Sequence, residues 1–254
     1  MKVSATDMKN AFGKYLKECE KEAIFITKND RIIAKLSSYR DPSDDYFLVK
    51  EGSAAYTYSG KRVTYEEFLR ITEGNEDRYE FIDGEVFLLT APGTKHQIIL
   101  MNMITDMISW FAGKKCRVFA APFDVTLETD YMEINDEGEK VESKNVVQPD
   151  ILVSCDYKEQ TNERDRYTGI PALVVEILSP QTRRRDQTKK LNVYITGGVS
   201  EYWIVDPKKK TVVQYYFADK EQVDLNKCDH PGIVKSFHFP GLELTTENIF
   251  RDVE

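Results

Sequence analysis

Residues 172–179 read ALVVEILS. Seven of these eight positions suit a strand buried on both faces. The exception is Glu176, near the middle of the run. An isolated carboxylate buried in such a strand costs roughly several kcal/mol. Either a cation reaches Glu176 or this run is not such a strand.

Two sources of positive charge fit the surrounding residues. One is the helix expected in PQTRRRDQTKKLNVYITGG, which carries Arg183, Arg184, Arg185, Lys189 and Lys190 and ends at Gly197-Gly198. Asp186, Lys190 and Tyr194 are spaced to share one face of that helix, bordered by Leu191 and Val193. Lys189 points about 100° away, toward solvent. The other source is a divalent ion. Asp150 follows Pro149 in the strand-like QPDILV. If this strand pairs with the Glu176 strand, two carboxylates converge and repel unless a metal lies between them. Oxygen ligands, with the Ile177 carbonyl as a third, suit Mg²⁺ or Mn²⁺. Such an ion performs phosphodiester hydrolysis by activating water and neutralising charge at phosphorus.

Length allows one large domain or two unequal ones over the 254 residues. The net charge of −8 excludes a basic coat protein, yet residues 1–40 carry nine Lys/Arg against five Asp/Glu. A basic head on an acidic body points to two tasks. The four cysteines form no C-x-x-C pair, so free thiols in a reducing cytosol are expected rather than zinc or disulfides. The start lacks an apolar signal segment, and no run is long enough to span a membrane. A soluble cytoplasmic protein with no membrane partner is the expectation.

The head predicts β-α-β-β: a short strand at 2–4, one helix over SATDMKNAFGKYLKECEK, then AIFIT and RIIAKLSSY around an Asn-Asp turn. Ala5, Met8, Phe12, Tyr15, Leu16 and Cys19 form one apolar helix face. So small a unit buries little core alone, which predicts a homodimer. Residues 41–62 read as a linker. The body predicts a helix from Thr64, a hairpin RYEFIDGEVFLL, a long helix from His96, and strands at CRVFAAPFDVTL, VVQPDILVSC, PALVVEILS, EYWIVDP and TVVQYYF. The acidic YMEINDEGEKVESKN reads as an exposed loop, and the tail with His230 and His238 as loop-rich and not catalytic.

The head order, SAT-D-MKNAFGKYL followed by IFITKNDRIIAKLSSY, resembles the Phd/YefM antitoxins. That resemblance implies a dimer that binds DNA through Lys2, Ser4, Thr6, Lys9 and Lys14. It also brings a toxin partner into view, although another domain replaces the family's toxin-binding tail. Asp30 stands where that family has Gly, a substitution that a left-handed turn tolerates.

The body resembles the Uma-two family of the PD-(D/E)xK nuclease superfamily. The matching stretches are RYEFIDG (78–84), GTKHQ (93–97), APFDV (121–125), Pro149-Asp150, VEILSP (175–180), D-x-x-x-K at 186–190 and GVSEYWIVDP (198–207). The resemblance implies an α/β fold of the α+β type, a mixed sheet flanked by helices, spanning 63–254. It implies an Mg²⁺-dependent DNA endonuclease with Asp150 and Glu176 on the metal. The motif lysine is displaced to Lys190, and Glu80 and His96 join the pocket. Arg183, Arg184 and Arg185 are candidates for flanking phosphates. Two rivals stay open. One is a non-catalytic DNA-binding autorepressor or toxin–antitoxin-type regulator with a degenerate nuclease body. The other is a protein-binding body on a dimerising head.

Overall fold

The structure, a computed structural model, describes residues 2–19, 24–28, 31–36, 62–74, 76–134, 140–161, 167–180 and 182–253. The chain forms two compact units, Met1–Leu48 and Val49–Glu254. The expected linker lies outside the described residues apart from Arg62, as does the Asn29-Asp30 turn.

The first unit contains β1 (Lys2–Ser4), α1 (Ala5–Asn10), α2 (Phe12–Glu18), β2 (Ile24–Lys28) and β3 (Arg31–Leu36). The sheet order is β1-β2-β3, with β1 and β2 parallel and β2 and β3 antiparallel. Ser4 caps α1 by accepting a hydrogen bond from the Asp7 amide at 3.0 Å. The single helix expected here is two, because Ala11 takes φ −134° and ψ 36°. That break shifts the helical phase. Met8, Tyr15 and Cys19 pack on Val3 and Ile24. Phe12 and Leu16 leave the expected face and stand 51% and 43% exposed.

The second unit opens with α3 (Tyr65–Thr72). Thr64 and Glu67 form a reciprocal capping box, with both hydrogen bonds at 3.2 Å. Thr64→Ala should therefore lower stability by about 1 kcal/mol, read from the denaturation midpoint. Phe68 of α3 stacks on Phe81 with ring centroids 5.0 Å apart. Phe81 belongs to β4 (Tyr79–Ile82), which turns back into β5 (Glu85–Leu88). Asp83 and Gly84 both have positive φ, 50° and 79°, as a two-residue primed turn demands.

A four-stranded sheet runs β5-β4-β8-β7, with β7 at Val125–Ile134 and β8 at Lys140–Val147. The acidic stretch expected as a loop is thus largely a hairpin. Its charges concealed the alternation: Leu127 and Asn145 are buried, while the neighbouring Glu128 is exposed and lies 3.5 Å from the half-buried Lys144.

The second sheet is six-stranded and mixed, in the order β13-β12-β11-β10-β9-β6. Its strands are β6 (Arg117–Ala120), β9 (Ile151–Ser154), β10 (Leu173–Ile177), β11 (Glu201–Asp206), β12 (Thr211–Ala218) and β13 (Glu221–Asp229). Only β10 and β11 pair in parallel. VVQPDILVSC is therefore two strands in two sheets, divided around Pro149, whose ring leaves no N–H for a ladder. CRVFAAPFDVTL divides in the same way, into β6 and β7.

One face of the six-stranded sheet packs on α4 (Thr94–Phe111) through Ile99, Met103, Met107 and Phe111. The tail completes this core. It is a hairpin of β14 (Ile233–Lys235) and β15 (Glu243–Thr245) followed by α7 (Thr246–Ile249), not loop. Glu201 ties the tail to the sheet: its buried carboxylate accepts from the Trp203 indole, the Ser236 hydroxyl, and the Phe237 and His238 amides.

Cys116 and Cys155, expected as free thiols, form a disulfide. Arg117 pairs with Ser154 across β6 and β9, so the next residues outward stand opposite each other, with Cα atoms 3.9 Å apart. Cys19 and Cys228 are free. The expectation of a reducing cytosol loses the support it drew from the two joined thiols. Among the described residues no helix is long and apolar enough to cross a membrane.

Candidate active site

Strand parity decides where the candidate side chains point. Val175 pairs with Ile151 on the face covered by α4. One step along the same register, Glu176 and Asp150 share the opposite face. The Asp150 carboxylate also accepts a hydrogen bond from the Ile177 amide at 2.7 Å. The pairing expected from the sequence is present.

The helix after β10 packs on this second face. It runs as α5 (Arg183–Arg185), a π-helical turn (Asp186–Lys190) and α6 (Leu191–Thr196). Its Tyr194 ring lies 4.8 Å from Tyr202 of β11. Lys190 and Tyr194 face inward together: the ammonium lies 2.6 Å from Glu176 Oε1, and the Tyr194 hydroxyl donates to the same oxygen at 2.7 Å. Glu176 therefore meets a cation, and it is a lysine rather than an arginine from the triple run.

Glu80 enters from the four-stranded sheet. Its Oε1 lies 2.6 Å from the Lys190 ammonium and accepts from the Gln148 amide at 2.9 Å. Its Oε2 lies 3.2 Å from Arg185. Asp186 stands one turn from Lys190, at 3.7 Å. Glu80, Glu176, Asp186 and Lys190 are all buried. His96, in the first turn of α4, places Nε2 3.0 Å from Asp150.

Negative charge outweighs positive in this cluster. Burial, together with Asp186, Asp150 and Glu80, pushes the Glu176 carboxyl well above the usual carboxylate range despite Lys190. Burial likewise raises Asp186. Burial would also raise Glu80, but Lys190 and Arg185 outweigh it and hold that carboxyl low. For Lys190, burial favours the neutral amine, and the attraction of Glu176 and Glu80 reverses this and keeps it protonated. Among the described residues, no three His, Cys, Asp or Glu side chains are grouped to hold a metal alone.

The arginine run divides. Arg183 forms a bidentate pair with Asp206 at the end of β11, at 2.7 and 3.0 Å. Arg185 turns inward to Glu80 and over the Phe87 ring. Both are engaged with the protein rather than held ready for phosphate, a division hidden from sequence because it depends on residues of other strands. Lys189 lies at the rim, a third exposed, 2.6 Å from Glu85. Lys189→Ala should cost under about 1 kcal/mol in denaturant unfolding, as for a screened surface pair.

The head residues belong to the first unit. Lys2, Thr6, Lys9 and Lys14 are exposed. Ser4 is committed to its cap, also donating to the Asp7 carboxylate at 2.7 Å.

The mixed α+β architecture, with Glu176 on β10, Asp150 just before β9 and a basic helix over them, is consistent with a restriction-endonuclease-like fold. The chain belongs to the Uma2 family, described as "Putative restriction endonuclease", whose model matches residues 65–247. Two relatives from Synechocystis sp. are named "Uncharacterized protein slr1290" and "Uncharacterized protein sll1609". The first is 23% identical over 155 residues, covering 61% of this chain and 74% of the relative. The second is 21% identical over 147 residues, covering 58% and 76%. A crystal structure of "a putative nuclease belonging to DUF820" from Anabaena variabilis shares the fold with a TM-score of 0.56 and 22% identity, over 74% of this chain and 97% of its own.

Proposed function

We propose that this chain is a metal-dependent endonuclease that hydrolyses DNA phosphodiester bonds. The observation that supports it is the pairing of Asp150 and Glu176 on one sheet face, with Lys190 on Glu176. Burial first, and then the neighbouring carboxylates, raise the Glu176 carboxyl, and a divalent cation relieves that electrostatic condition. Asp150, Glu176 and the Ile177 carbonyl would hold Mg²⁺ or Mn²⁺. Such an ion, when bound, supplies an activated water and neutralises charge at phosphorus. Lys190, kept protonated, steadies negative charge and does not act as a base. Glu80 holds Lys190 in place, and His96 orients Asp150.

In the same reading the head is a Phd/YefM-like module that binds DNA through Lys2, Ser4, Thr6, Lys9 and Lys14. The exposed Phe12 and Leu16, four residues apart on α2, support its pairing with a second copy. The test is cleavage of duplex DNA, single-stranded DNA and RNA with Mg²⁺, Mn²⁺ or chelator. DNA cleavage that requires metal is the expected result. A second reading draws on the burial of Lys190, 2% exposed and held by two carboxylates, which also suits a purely structural tie. That reading makes the protein a non-catalytic autorepressor. DNA binding by the full chain, lost in Lys9→Ala/Lys14→Ala, without cleavage under any metal would favour it.

A further inference from the structure

The carboxylate face of the six-stranded sheet continues outward to its edge strand β6. Phe119 pairs with Leu152, and Leu152 pairs with Val174. These three residues form the row next to the one holding Asp150 and Glu176, on the same face. The Asp150 row also reaches the β6 side, since the Ala121 amide donates to the Asp150 carbonyl at 3.1 Å.

Aromatic rings collect at this edge. Phe119 and Phe123 stack with centroids 4.9 Å apart, and Tyr157 meets Phe119 edge-on at 5.6 Å. All three are half-buried. The buried Tyr167 backs the group, 6.1 Å from Phe123, and is fixed by donating to Asp156 at 2.8 Å. Arg117 and Lys158, both exposed, flank the rings in sequence, against the acidic Asp156 and Glu159. A core needs no half-exposed ring trio beside a candidate cleavage site, whereas an unpaired base needs a π-face on which to stack.

We propose that Phe119, Phe123 and Tyr157 form a stacking platform for unpaired bases, so that single-stranded nucleic acid approaches Asp150 and Glu176 along the β6 edge. This proposal rests on the nuclease reading only for its biological purpose, because binding is measurable without catalysis. With few net cations at the edge, stacking dominates and affinity depends weakly on salt.

The test uses the full chain in chelator, with fluorescence anisotropy of labelled oligothymidylate of about 12 nucleotides and a duplex of equal length. Phe119→Leu/Tyr157→Leu keeps apolar contact and removes two rings. Single-strand affinity should fall about 10-fold or more, with duplex affinity little changed. If the double variant melts early, Tyr157→Leu alone should still lower single-strand affinity about 5-fold. No single-strand binding by the natural chain, equal affinity in the variants, or equal losses for both probes would each overturn the platform. Absence of cleavage in separate metal-containing assays would count against the nuclease reading and leave this result intact.

Discussion

Lys190→Met should lower the stability of the second unit by about 3–5 kcal/mol, the scale for stripping a buried ion pair of one partner. Methionine fills similar volume, so the loss is electrostatic rather than a cavity. The ammonium that lies 2.6 Å from both Glu80 and Glu176 disappears, leaving Arg185 as the basic neighbour of Glu80. At roughly 2–4 °C per kcal/mol, the thermal midpoint should fall by about 10 °C at pH 8. The pH dependence has a definite sign. Without Lys190, the folded-state carboxyls of Glu80 and Glu176 rise above their unfolded values. Groups raised in this way stabilise below the unfolded value and lose that contribution as pH rises through the folded value. The deficit should therefore shrink between pH 8 and pH 5. Cleavage, measured below the lowered midpoint, should fall at least ~10²-fold. Equal midpoints at pH 8 would show that Lys190 does not neutralise the cluster.

Glu176→Gln should have the opposite effect on stability and a larger one on activity. The amide oxygen can still accept from Lys190 and Tyr194. Removing the charge relieves the burial and the repulsion from Asp186, Asp150 and Glu80 that raise this carboxyl. A carboxyl raised in the folded state costs stability as pH climbs through its folded value. The metal-free variant should thus melt at or above the natural chain, with the gap widening toward high pH. Single-turnover cleavage should drop by ~10³-fold or more, the order lost with a main source of transition-state charge stabilisation. Unchanged cleavage would remove Glu176 from the site. A lower midpoint would make it a structural ion-pair partner.

The sequence made the centre of the site legible because one residue contradicted its surroundings. A lone acid in ALVVEILS demands a cation, and helical phase selects Lys190 over Lys189 as the inward lysine. The structure places Lys190 on Glu176 and Lys189 on Glu85 at the rim. Asp150 was legible because its strand-like run, QPDILV, could pair with the Glu176 strand and bring two carboxylates together. What remained hidden depends on contacts between distant segments. Glu80, which only the family resemblance brought into the pocket, meets Lys190 from a different sheet. The Cys116–Cys155 bond follows from the β6–β9 register, which no spacing of cysteines encodes. Arg183 pairs with Asp206 only because β11 ends beside α5. The β7–β8 hairpin was hidden by charge, and the break at Ala11 by a helix propensity that the local backbone overrides.

The most direct test of a metal held by Asp150 and Glu176 is calorimetric titration of Mn²⁺ into the natural chain and into Glu176→Gln. The prediction is saturable binding of one ion per chain, abolished or weakened at least ~100-fold in the variant, the loss of a charged ligand. Binding that is absent from the natural chain, or unchanged in the variant, would contradict it.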